Sequence, residues 1–313
     1  MRIVLTGASG FIGSFSARVL RHHGHEVVAL VREGSRVDHI EPHISRYARG
    51  DQADASIWPD LLAGADAVVH NSVDWDAVRS ASGGGDLQTH LRTNLEGSIR
   101  FLHAAHAAGI RRFVYLSSVA VHHDISPNWG GLVDEEHPLR PGSLYGALKA
   151  AVEAHLWDAK FRLGMHTVAL RPAAVYGVEP TRLERSHGYK PLLRLLDGQR
   201  VTAQDFPGGG KFVHVDDVAL AICRAVERAD APDVSGHAFH LADCYAKHTR
   251  FAEHAADLLG LPTSMVEPDT GPPAKNMFDK ASTRKALGVE QSRGDAGLRG
   301  HMTNLIEAVR TKD

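Results

Sequence analysis

Cysteine is scarce in this sequence. Only Cys223 and Cys244 are present, and they do not form a C-x-x-C pair. Proteins that depend on disulfides carry many more cysteines, so the sequence argues against a disulfide framework and favours a cytoplasmic location. Long hydrophobic runs are missing too. Since no stretch approaches the roughly 18 apolar residues of a membrane-spanning helix and the N-terminus leads straight into a strand, we predict no signal peptide and no membrane partner.

An excess of either charge is missing as well. The 35 Lys and Arg residues nearly balance the 37 Asp and Glu residues, giving a formal net charge of -2. Such a chain lacks the basic field that attracts nucleic acid, so we expect a small-molecule substrate instead. Histidine is abundant, with 21 residues, but neither the cluster His22, His23 and His25 nor the pair His103 and His106 has cysteines or paired carboxylates at familiar ligand spacing. We therefore predict no metal site.

Strand-like and helical patterns alternate through the first 171 residues. The apolar runs predict strands at 2–6, 26–31, 46–49, 67–70, 112–117 and 167–171, and helical periodicity predicts helices at 15–23, 54–62, 86–108 and 143–163. Alternation of this kind indicates an α/β fold, a doubly wound parallel sheet of the Rossmann type with helices on both faces. Ligands bind such sheets outside the carboxyl ends of the strands.

A glycine-rich turn follows the first strand and opens the first helix, with the sequence Gly7-Ala-Ser-Gly10-Phe-Ile-Gly13. Glycines permit a tight turn and bring backbone close to a pyrophosphate, whose charge then faces the amides of the helix N-terminus. The G-x-x-G-x-x-G spacing is one residue wider at its first gap than the common dinucleotide fingerprint. We predict a dinucleotide site whose contacts include Gly7, Ser9, Gly10, Phe11, Ile12 and Gly13.

Tyr145 and Lys149 lie four residues apart in the predicted helix 143–163, so both side chains project from one face. A phenol has an ordinary pKa near ~10, and a neighbouring ammonium favours the phenolate; a shift of roughly three units corresponds to about 4 kcal/mol. We expect Lys149 to lower the pKa of Tyr145 until the phenol exchanges a proton near neutral pH. The spacing alone is weak evidence, because Y-x-x-x-K often arises by chance on a helix.

After Arg171 the alternation weakens and proline and glycine become frequent. A helix at 218–228 and a strand at 237–242 would return the chain to the main sheet, and helices at 279–287 and 296–310 would follow. We predict a dinucleotide-binding domain made of residues 1–171 and 212–243. A smaller C-terminal substrate-binding lobe would comprise residues 172–211 and 244–313.

Seven motifs occur in an order that resembles the extended short-chain dehydrogenase/reductases, often called the NAD-dependent epimerase/dehydratase group. The resemblance spans roughly residues 1 to 290. The motifs are Thr6-Gly-Ala-Ser-Gly-Phe-Ile-Gly13, Gly50-Asp51, Asn94-Leu-Glu-Gly97, Ser117-Ser118, Tyr145-x-x-x-Lys149, Arg171-Pro-x-x-Val-Tyr-Gly177 and Val213-His-Val-Asp-Asp-Val-Ala219.

The resemblance implies a catalytic set of Ser118, Tyr145 and Lys149. Ser118 would hold the substrate oxygen, and Tyr145 would exchange a proton with it while the nicotinamide exchanges hydride with the carbon. Lys149 would lower the tyrosine pKa and bind the nicotinamide ribose. Further cofactor contacts predicted from the resemblance and the strand ends are Arg32, Asp51, Gln52, Asn71, Ser72, Asn94, Ser117, Tyr145, Lys149, Pro172 and Val175.

The end of the second strand bears on the choice of cofactor. NAD-preferring relatives usually carry an acid there, whereas this chain has Val31 followed by Arg32, with Ser35 and Arg36 close behind. A guanidinium can bind a 2'-phosphate that a carboxylate would repel, so NADP is favoured over NAD. Arg32 could equally be a solvated loop residue of an NAD enzyme.

Several departures from the family pattern reduce the number of reactions that the sequence supports. Val119 and Ala120 follow Ser118 where sugar-nucleotide dehydratases carry Asp-Glu, which disfavours elimination. Ala174 and Gly210 replace an Asn and an Arg common in nucleotide-sugar epimerases and decarboxylases, although Lys211, Arg182 or Arg185 could restore the charge. Residues proposed to line the substrate pocket are Trp75, His122, Trp129, Tyr176 and Arg185.

The leading hypothesis is an NAD(P)-dependent oxidoreductase acting on a carbonyl or secondary alcohol of a small to medium polar organic substrate. A sugar or sugar-nucleotide epimerase with tightly bound NAD is the first alternative, because it uses the same three residues. A non-catalytic NAD(P)-sensing regulator is the second, and the intact Tyr145 and Lys149 argue against it. By analogy with the family we expect a homodimer formed through the helix of Tyr145 and the long helix before it.

Overall fold

A computed structural model describes residues 1–122, 131–272 and 276–311. Its strands are β1 (Arg2–Thr6), β2 (Glu26–Val31), β3 (Arg46–Arg49), β4 (Ala67–His70), β5 (Arg112–Leu116), β6 (Gly131–Val133), β7 (His166–Pro172), β8 (Ala174–Tyr176), β9 (Gly209–His214), β10 (His237–Leu241), β11 (Cys244–Lys247) and β12 (Asn276–Phe278). Its helices are α1 (Phe11–His22), α2 (Trp58–Leu62), α3 (Trp75–Ser82), α4 (Leu87–His90), α5 (Gly97–Ala107), α6 (Leu144–Leu163), α7 (Tyr189–Leu196), α8 (Val215–Glu227), α9 (Thr249–Leu258), α10 (Ala281–Leu287) and α11 (Gly294–Arg310).

Seven parallel strands form the central sheet in the order β10-β7-β5-β4-β1-β2-β3. Alternate residues of each strand face opposite sides, as the two-residue period of a strand requires. Ile3 and Leu5 of β1 pack against α1 and α8, whereas Val4 packs with residues of α2, α5 and α6 on the other face. The predicted doubly wound sheet is therefore confirmed. The strand order reverses between β1 and β4, which is where such sheets bind their ligands.

A second lobe has its own small sheet and core. Its three strands run in the order β11-β9-β8, and its core includes Phe212, Phe251 and Met302. Strand β9 ends at His214, so it straddles the predicted domain boundary at residue 212. Strands β6 and β12 form a separate parallel pair. Within the described parts of the chain, no helix is both long enough and apolar enough to cross a bilayer.

Between residues 54 and 108 the helices differ from the prediction in three places. The helix predicted at 54–62 forms only from Trp58, because the Asp51 and Asp54 carboxylates accept hydrogen bonds from the amides of Ala53 and Ser56 and hold this segment in turns. Helix α3 was not predicted. It begins after Asp74, whose side chain accepts hydrogen bonds from two amides of its first turn. The predicted helix 86–108 forms as α4 and α5, joined by the π-helix Leu91–Glu96.

Candidate active site

One cleft of about 1470 Å³ follows the carboxyl ends of the main-sheet strands. Its walls come from the segments after β1, β2, β3, β4, β5 and β7, and from three segments of the C-terminal half. Pockets for a single small ligand usually measure roughly 300–1,000 Å³. The larger volume here suits two ligands lying end to end.

The glycine turn after β1 forms the floor of one end of the cleft. Gly7 has a left-handed backbone with φ +68°, and a Cβ there would lie 3.0 Å from the Cα of Ser72. A Cβ on Gly13 would lie only 2.1 Å from the Gly7 carbonyl oxygen. Both positions therefore require glycine. Helix α1 begins at Phe11, directly above the turn, so its free amides face the cleft.

A hydrogen-bonded layer behind the turn joins β1 to the end of β4. Thr6 Oγ1 accepts hydrogen bonds from the amides of Asn71 and Ser72 at 3.0 and 3.1 Å, and Asn71 Nδ2 donates to the Gly7 carbonyl at 3.3 Å. Burial, and next the charge of Lys149, lower the pKa of His70 to about 3, so this histidine is neutral. Asn71 and Ser72 line the cleft as predicted, and they also fix the glycine turn.

Ser118, Tyr145 and Lys149 meet at the middle of the cleft. Ser118 follows β5, and the hydroxyl of Ser143 caps α6 by accepting a hydrogen bond from an amide of its first turn at 3.0 Å. The Ser118 side chain acts on Tyr145 by favouring the phenolate form of its hydroxyl. Lys149 Nζ donates to the Leu116 carbonyl at 2.5 Å and lies 5.6 Å from the centre of the Tyr145 ring. The structure thus brings the three predicted catalytic residues together.

The expected lowering of the tyrosine pKa by Lys149 is wrong for the protein alone. Burial raises the pKa of Tyr145 to about 12, and the Ser118 side chain only partly opposes this shift. Burial also lowers the pKa of Lys149 to about 7, against the opposing effect of the Glu153 charge. A low-dielectric site disfavours both charged forms, and the amine is directed at a carbonyl. Trp75 adds to the burial, because its ring lies 4.8 Å from that of Tyr145.

A buried ion pair that we did not predict, between Glu153 and Arg171, lies beneath the catalytic residues. Glu153 is 1 % exposed and Arg171 is 4 % exposed. The guanidinium binds both carboxylate oxygens, with Nη2 to Oε2 at 2.7 Å and Nε to Oε1 at 3.1 Å, and the Ser117 hydroxyl also donates to Oε1. Removing one partner of such a pair leaves a buried charge, which typically costs about 3–5 kcal/mol. The signal in the sequence was the four-residue step from Lys149 to Glu153, which places both on one face of α6.

The substrate end of the cleft contains three of the predicted residues, Trp75, His122 and Arg185. Burial, followed by the charge of Arg171, lowers the pKa of His122 to about 4. His122 Nδ1 lies 3.3 Å from the Pro138 carbonyl, and since a carbonyl only accepts, the neutral ring carries its proton on Nδ1. Cleft residues at this end that the sequence did not suggest are Val133, Glu179, Thr181 and Phe278. Arg182 and Lys211, which we named as replacements for the missing charge, line the cleft as well.

Three predicted contacts do not lie on the cleft. Gly13 packs against the glycine turn, so its role is to seat α1. Asn94 is 1 % exposed, and its Oδ1 accepts from the Asp74 amide at 2.8 Å and from Gln52 Nε2 at 3.2 Å; it therefore positions two lining residues. Tyr176 is fully buried in the core of the second lobe. Trp129, also predicted for the substrate pocket, lies outside the described residues.

The remaining predicted cofactor contacts all line the cleft. Arg32, Ser35 and Arg36 form its far end beside Glu33, and Asp51 lies opposite with its Oδ1 accepting from the Ala53 amide at 2.8 Å. Asp51 is therefore a turn former that also lines the cleft. The lining contacts from the prediction are Gly7, Ser9, Gly10, Phe11, Ile12, Arg32, Asp51, Gln52, Asn71, Ser72, Ser117, Tyr145, Lys149, Pro172 and Val175.

Comparison with known proteins places this cleft among nicotinamide-dependent enzymes. The family model for the NAD dependent epimerase/dehydratase family matches residues 3–242. A dTDP-glucose 4,6-dehydratase of Streptomyces niveus is 31 % identical over 263 residues, which cover 77 % of this chain and 72 % of that protein. A 2-alkyl-3-oxoalkanoate reductase of Stenotrophomonas maltophilia is 32 % identical over 250 residues, 78 % of this chain and 71 % of that protein. The solved structure of MoeE5 in complex with UDP-glucose and NAD superposes with a TM-score of 0.79 at 25 % identity, covering 100 % of this chain and 99 % of that one.

Proposed function

The chain belongs to the NAD dependent epimerase/dehydratase family, and from this premise we propose a reaction for its cleft. It is an enzyme of the extended short-chain dehydrogenase/reductase type that uses a nicotinamide cofactor. The proposed reaction is reversible hydride transfer between that cofactor and a carbonyl or secondary alcohol of a small to medium polar organic substrate. One observation carries the proposal: Ser118, Tyr145 and Lys149 line the same cleft as the glycine turn, with Lys149 Nζ 5.6 Å from the centre of the Tyr145 ring.

The glycine turn fits a dinucleotide, because a side chain on Gly7 or Gly13 would occupy backbone space and the amides of α1 stay directed at the cleft. When bound, the nicotinamide supplies or accepts hydride at the substrate carbon. Lys149 is placed to bind the adjoining ribose hydroxyls. The pyrophosphate would lie over residues 7–12.

The hydroxyl groups of Ser118 and Tyr145 position the substrate oxygen and transfer a proton to it. Ser118 orients the substrate oxygen by a hydrogen bond, and Tyr145 transfers a proton to that oxygen in the direction of reduction. With a pKa of about 12, Tyr145 keeps its proton at neutral pH and is ready to donate it. Trp75 covers the phenol and limits its contact with water.

Elimination of water is a less suitable reaction for this cleft. Val119 and Ala120 follow Ser118 and line the cleft where an acid and base pair would be needed. Neither side chain can transfer a proton. We therefore propose a reductase or dehydrogenase, although dTDP-glucose 4,6-dehydratases are among the similar proteins.

The direct test is absorbance of the reduced nicotinamide with NADPH or NADH and a panel of ketones and aldehydes. We expect turnover with some members of the panel, and a Tyr145→Phe loss of about 10²–10⁴-fold in kcat/KM with dinucleotide affinity retained. Tyr189→Phe, in the second lobe, is the matched control and should keep full activity. No turnover with either cofactor across the panel would refute the proposal.

The same purified protein distinguishes the two alternative functions, an epimerase and a nucleotide-sensing regulator. Stoichiometric NAD that stays bound through purification, with turnover of a sugar or sugar nucleotide and no added cofactor, would identify an epimerase instead. A Tyr145→Phe variant with unchanged biological effect would identify a nucleotide-sensing regulator.

We propose NADP as the preferred cofactor. Arg32, Ser35 and Arg36 line the end of the cleft where the adenosine ribose would lie, and a guanidinium binds a 2'-phosphate through paired charge-assisted hydrogen bonds. Arg32→Ala should weaken NADP binding about 10-fold and leave NAD binding unchanged. Arg21→Ala, an exposed arginine on α1, is the control. Tighter binding of NAD than of NADP by the unaltered protein, measured by calorimetry, would contradict this preference.

We also propose that the second lobe supplies substrate contacts and that two chains associate through α5 and α6. Trp157 and Phe161 on α6 stack with ring centres 5.7 Å apart although Phe161 is 75 % exposed. Exposed aromatic pairs of this kind mark protein interfaces. Phe161→Glu should convert a dimer into a monomer in light scattering, whereas Leu196→Glu on α7 should not. A monomeric parent protein would exclude the dimer.

The cytoplasmic location stays a prediction from cysteine usage.

A further inference from the structure

Four potential metal ligands meet at the edge of the main sheet opposite the cleft. His23 and His25 flank Gly24 in the turn that joins α1 to the amino end of β2. Cys223 and Glu227 lie four residues apart near the end of α8, so their side chains project from one face. Because α1 and α8 pack side by side, the turn and the end of α8 are brought together.

Glu227 Oε1 is the centre of this group. It lies 3.2 Å from His23 Nδ1, 3.3 Å from His25 Nε2 and 3.6 Å from Cys223 Sγ. The ligand atoms of His23, Cys223 and Glu227 all lie within 4.8 Å of one another. Ligand atoms bound about 2.0–2.3 Å from a tetrahedral zinc ion are roughly 3.3–3.8 Å apart. Glu227 Oε1 lies at hydrogen-bond distance from His23 Nδ1 and Cys223 Sγ, at 3.2 and 3.6 Å, and these two separations are also close to the edges of a zinc coordination tetrahedron.

The surroundings also suit an ion. Arg224 Nη1 binds the other carboxylate oxygen, Oε2, at 3.0 Å and leaves Oε1 directed at the cluster. Cys223 is fully buried, whereas the side chains of His23 and Glu227 keep 23 % and 25 % of their exposure, which gives an ion a route from solvent. One thiolate and one carboxylate together neutralise a divalent cation. Nitrogen, sulfur and oxygen in one site are the donor set that zinc accepts most readily.

We propose that His23, Cys223 and Glu227 bind one zinc ion, with His25 holding the Glu227 carboxylate in position. The sequence showed no metal-ligand spacing, because the two halves of the site are 200 residues apart, from His23 to Cys223. Binding deprotonates the Cys223 thiol, so each ion that enters releases that proton to solvent. The ion would link the turn after α1 to α8. Its role is structural, since the site lies at the amino end of β2 and the cleft lies at the carboxyl ends.

The test uses the full-length, tag-free protein after chelator treatment, with Zn²⁺ or Co²⁺ as the added metal. We expect one ion per chain by calorimetry and a rise of several degrees in Tm with Zn²⁺. Cobalt should give the intense near-ultraviolet band of a thiolate-to-metal charge transfer together with the visible bands of a tetrahedral site. Weak binding with no charge-transfer band would overturn the proposal.

Variants identify the ligands. Cys223→Ser, His23→Gln and Glu227→Gln should each weaken Zn²⁺ binding at least tenfold, and Cys223→Ser should also abolish the cobalt charge-transfer band. Cys244→Ser and His22→Gln are matched controls outside the cluster and should bind as the parent does. Circular dichroism and dinucleotide binding verify that each variant is folded, and Cys223→Ala is the alternative if the serine variant does not fold. Equal affinity of the parent and a folded Cys223 variant would overturn the assignment of Cys223.

Discussion

The two ends of the cleft are built in different ways. At the end proposed for the dinucleotide the walls are strand ends and the glycine turn, where the backbone packs so closely that Gly7 and Gly13 cannot carry side chains. At the substrate end the walls are side chains from segments far apart in the chain, including Trp75, Arg185 and Phe278. Backbone geometry recurs throughout a fold, whereas a set of distant side chains can change without disturbing it. We therefore expect the first end to set the cofactor class and the second end to set the substrate.

The largest effect that would test this contrast is expected at Gly13. Its absent Cβ would meet three backbone atoms, the closest at 2.1 Å, whereas a Cβ on Gly10 would meet only the Gly7 oxygen at 3.3 Å. Gly13→Ala should destabilise the protein by about 3 kcal/mol and abolish dinucleotide binding, because α1 could no longer pack on the turn. Gly10→Ala should cost less than about 1 kcal/mol. Denaturant unfolding and a fluorescence titration measure both quantities.

Equal effects at the two glycines would show that the turn adjusts freely. In that case backbone geometry would not set the dinucleotide end, and the contrast with the substrate end would fail.

The sequence was sufficient for the main sheet because its signals are local. Strands such as β1, β2 and β5 are short apolar runs, and helical periodicity follows most of the strands. The glycine turn and the pair Tyr145 and Lys149 could also be predicted, because each has a characteristic spacing along the sequence. The helix after Asp74 was missed since its cap is a single aspartate in a polar segment.

The substrate end was predicted less well because tertiary packing decides it. Tyr176 lies within a motif of the family, yet the small sheet turns its ring into the lobe core, beside Phe212 at 6.4 Å between ring centres. Asn94 also belongs to one of the family motifs, but its side chain is buried and accepts hydrogen bonds from Gln52 and from the Asp74 amide. The pKa of Tyr145 was misjudged for a related reason: burial is a property of the fold, and a four-residue spacing does not show it.

The pH dependence of catalysis is the next largest effect. Oxidation of an alcohol requires the Tyr145 phenolate, and a pKa of about 12 makes that form rare at neutral pH. For oxidation, kcat/KM should rise up to about tenfold per pH unit without a plateau below about pH 10, whereas the reduction rate should stay level. Steady-state rates in both directions across this range provide the measurement. A plateau near pH 7 would instead show that the cofactor complex lowers the phenol pKa, as the sequence led us to expect.

A smaller effect, on the free energy of unfolding, is expected when Lys149 is replaced. Its pKa is lowered to about 7 from 10.5, so between these values the unfolded chain binds more protons and stability rises with pH. The burial cost of the ammonium is therefore largest below pH 7. Lys149→Met removes that cost and should gain on the order of 3 kcal/mol more stability at pH 6 than at pH 9.5. Lys190→Met, an exposed lysine on α7, should show no such dependence in the same denaturation series. A pH-independent difference would mean that Lys149 stays charged in the folded protein.

The smallest effect should come from Trp75, where the two ends of the cleft meet. Its ring centre lies 4.8 Å from that of Tyr145 with the planes inclined by 30°, and the residue is 46 % exposed, so we expect it to contact both the catalytic phenol and an incoming substrate. Trp75→Ala should raise KM by about 2- to 10-fold, the equivalent of one aromatic contact, and should shift the oxidation profile to lower pH because Tyr145 becomes more solvated. Trp75→Phe keeps a ring on the phenol and should preserve the parent profile. A change in KM without a shift in the profile would assign Trp75 to the substrate alone, and the burial of Tyr145 would then come from the surrounding fold.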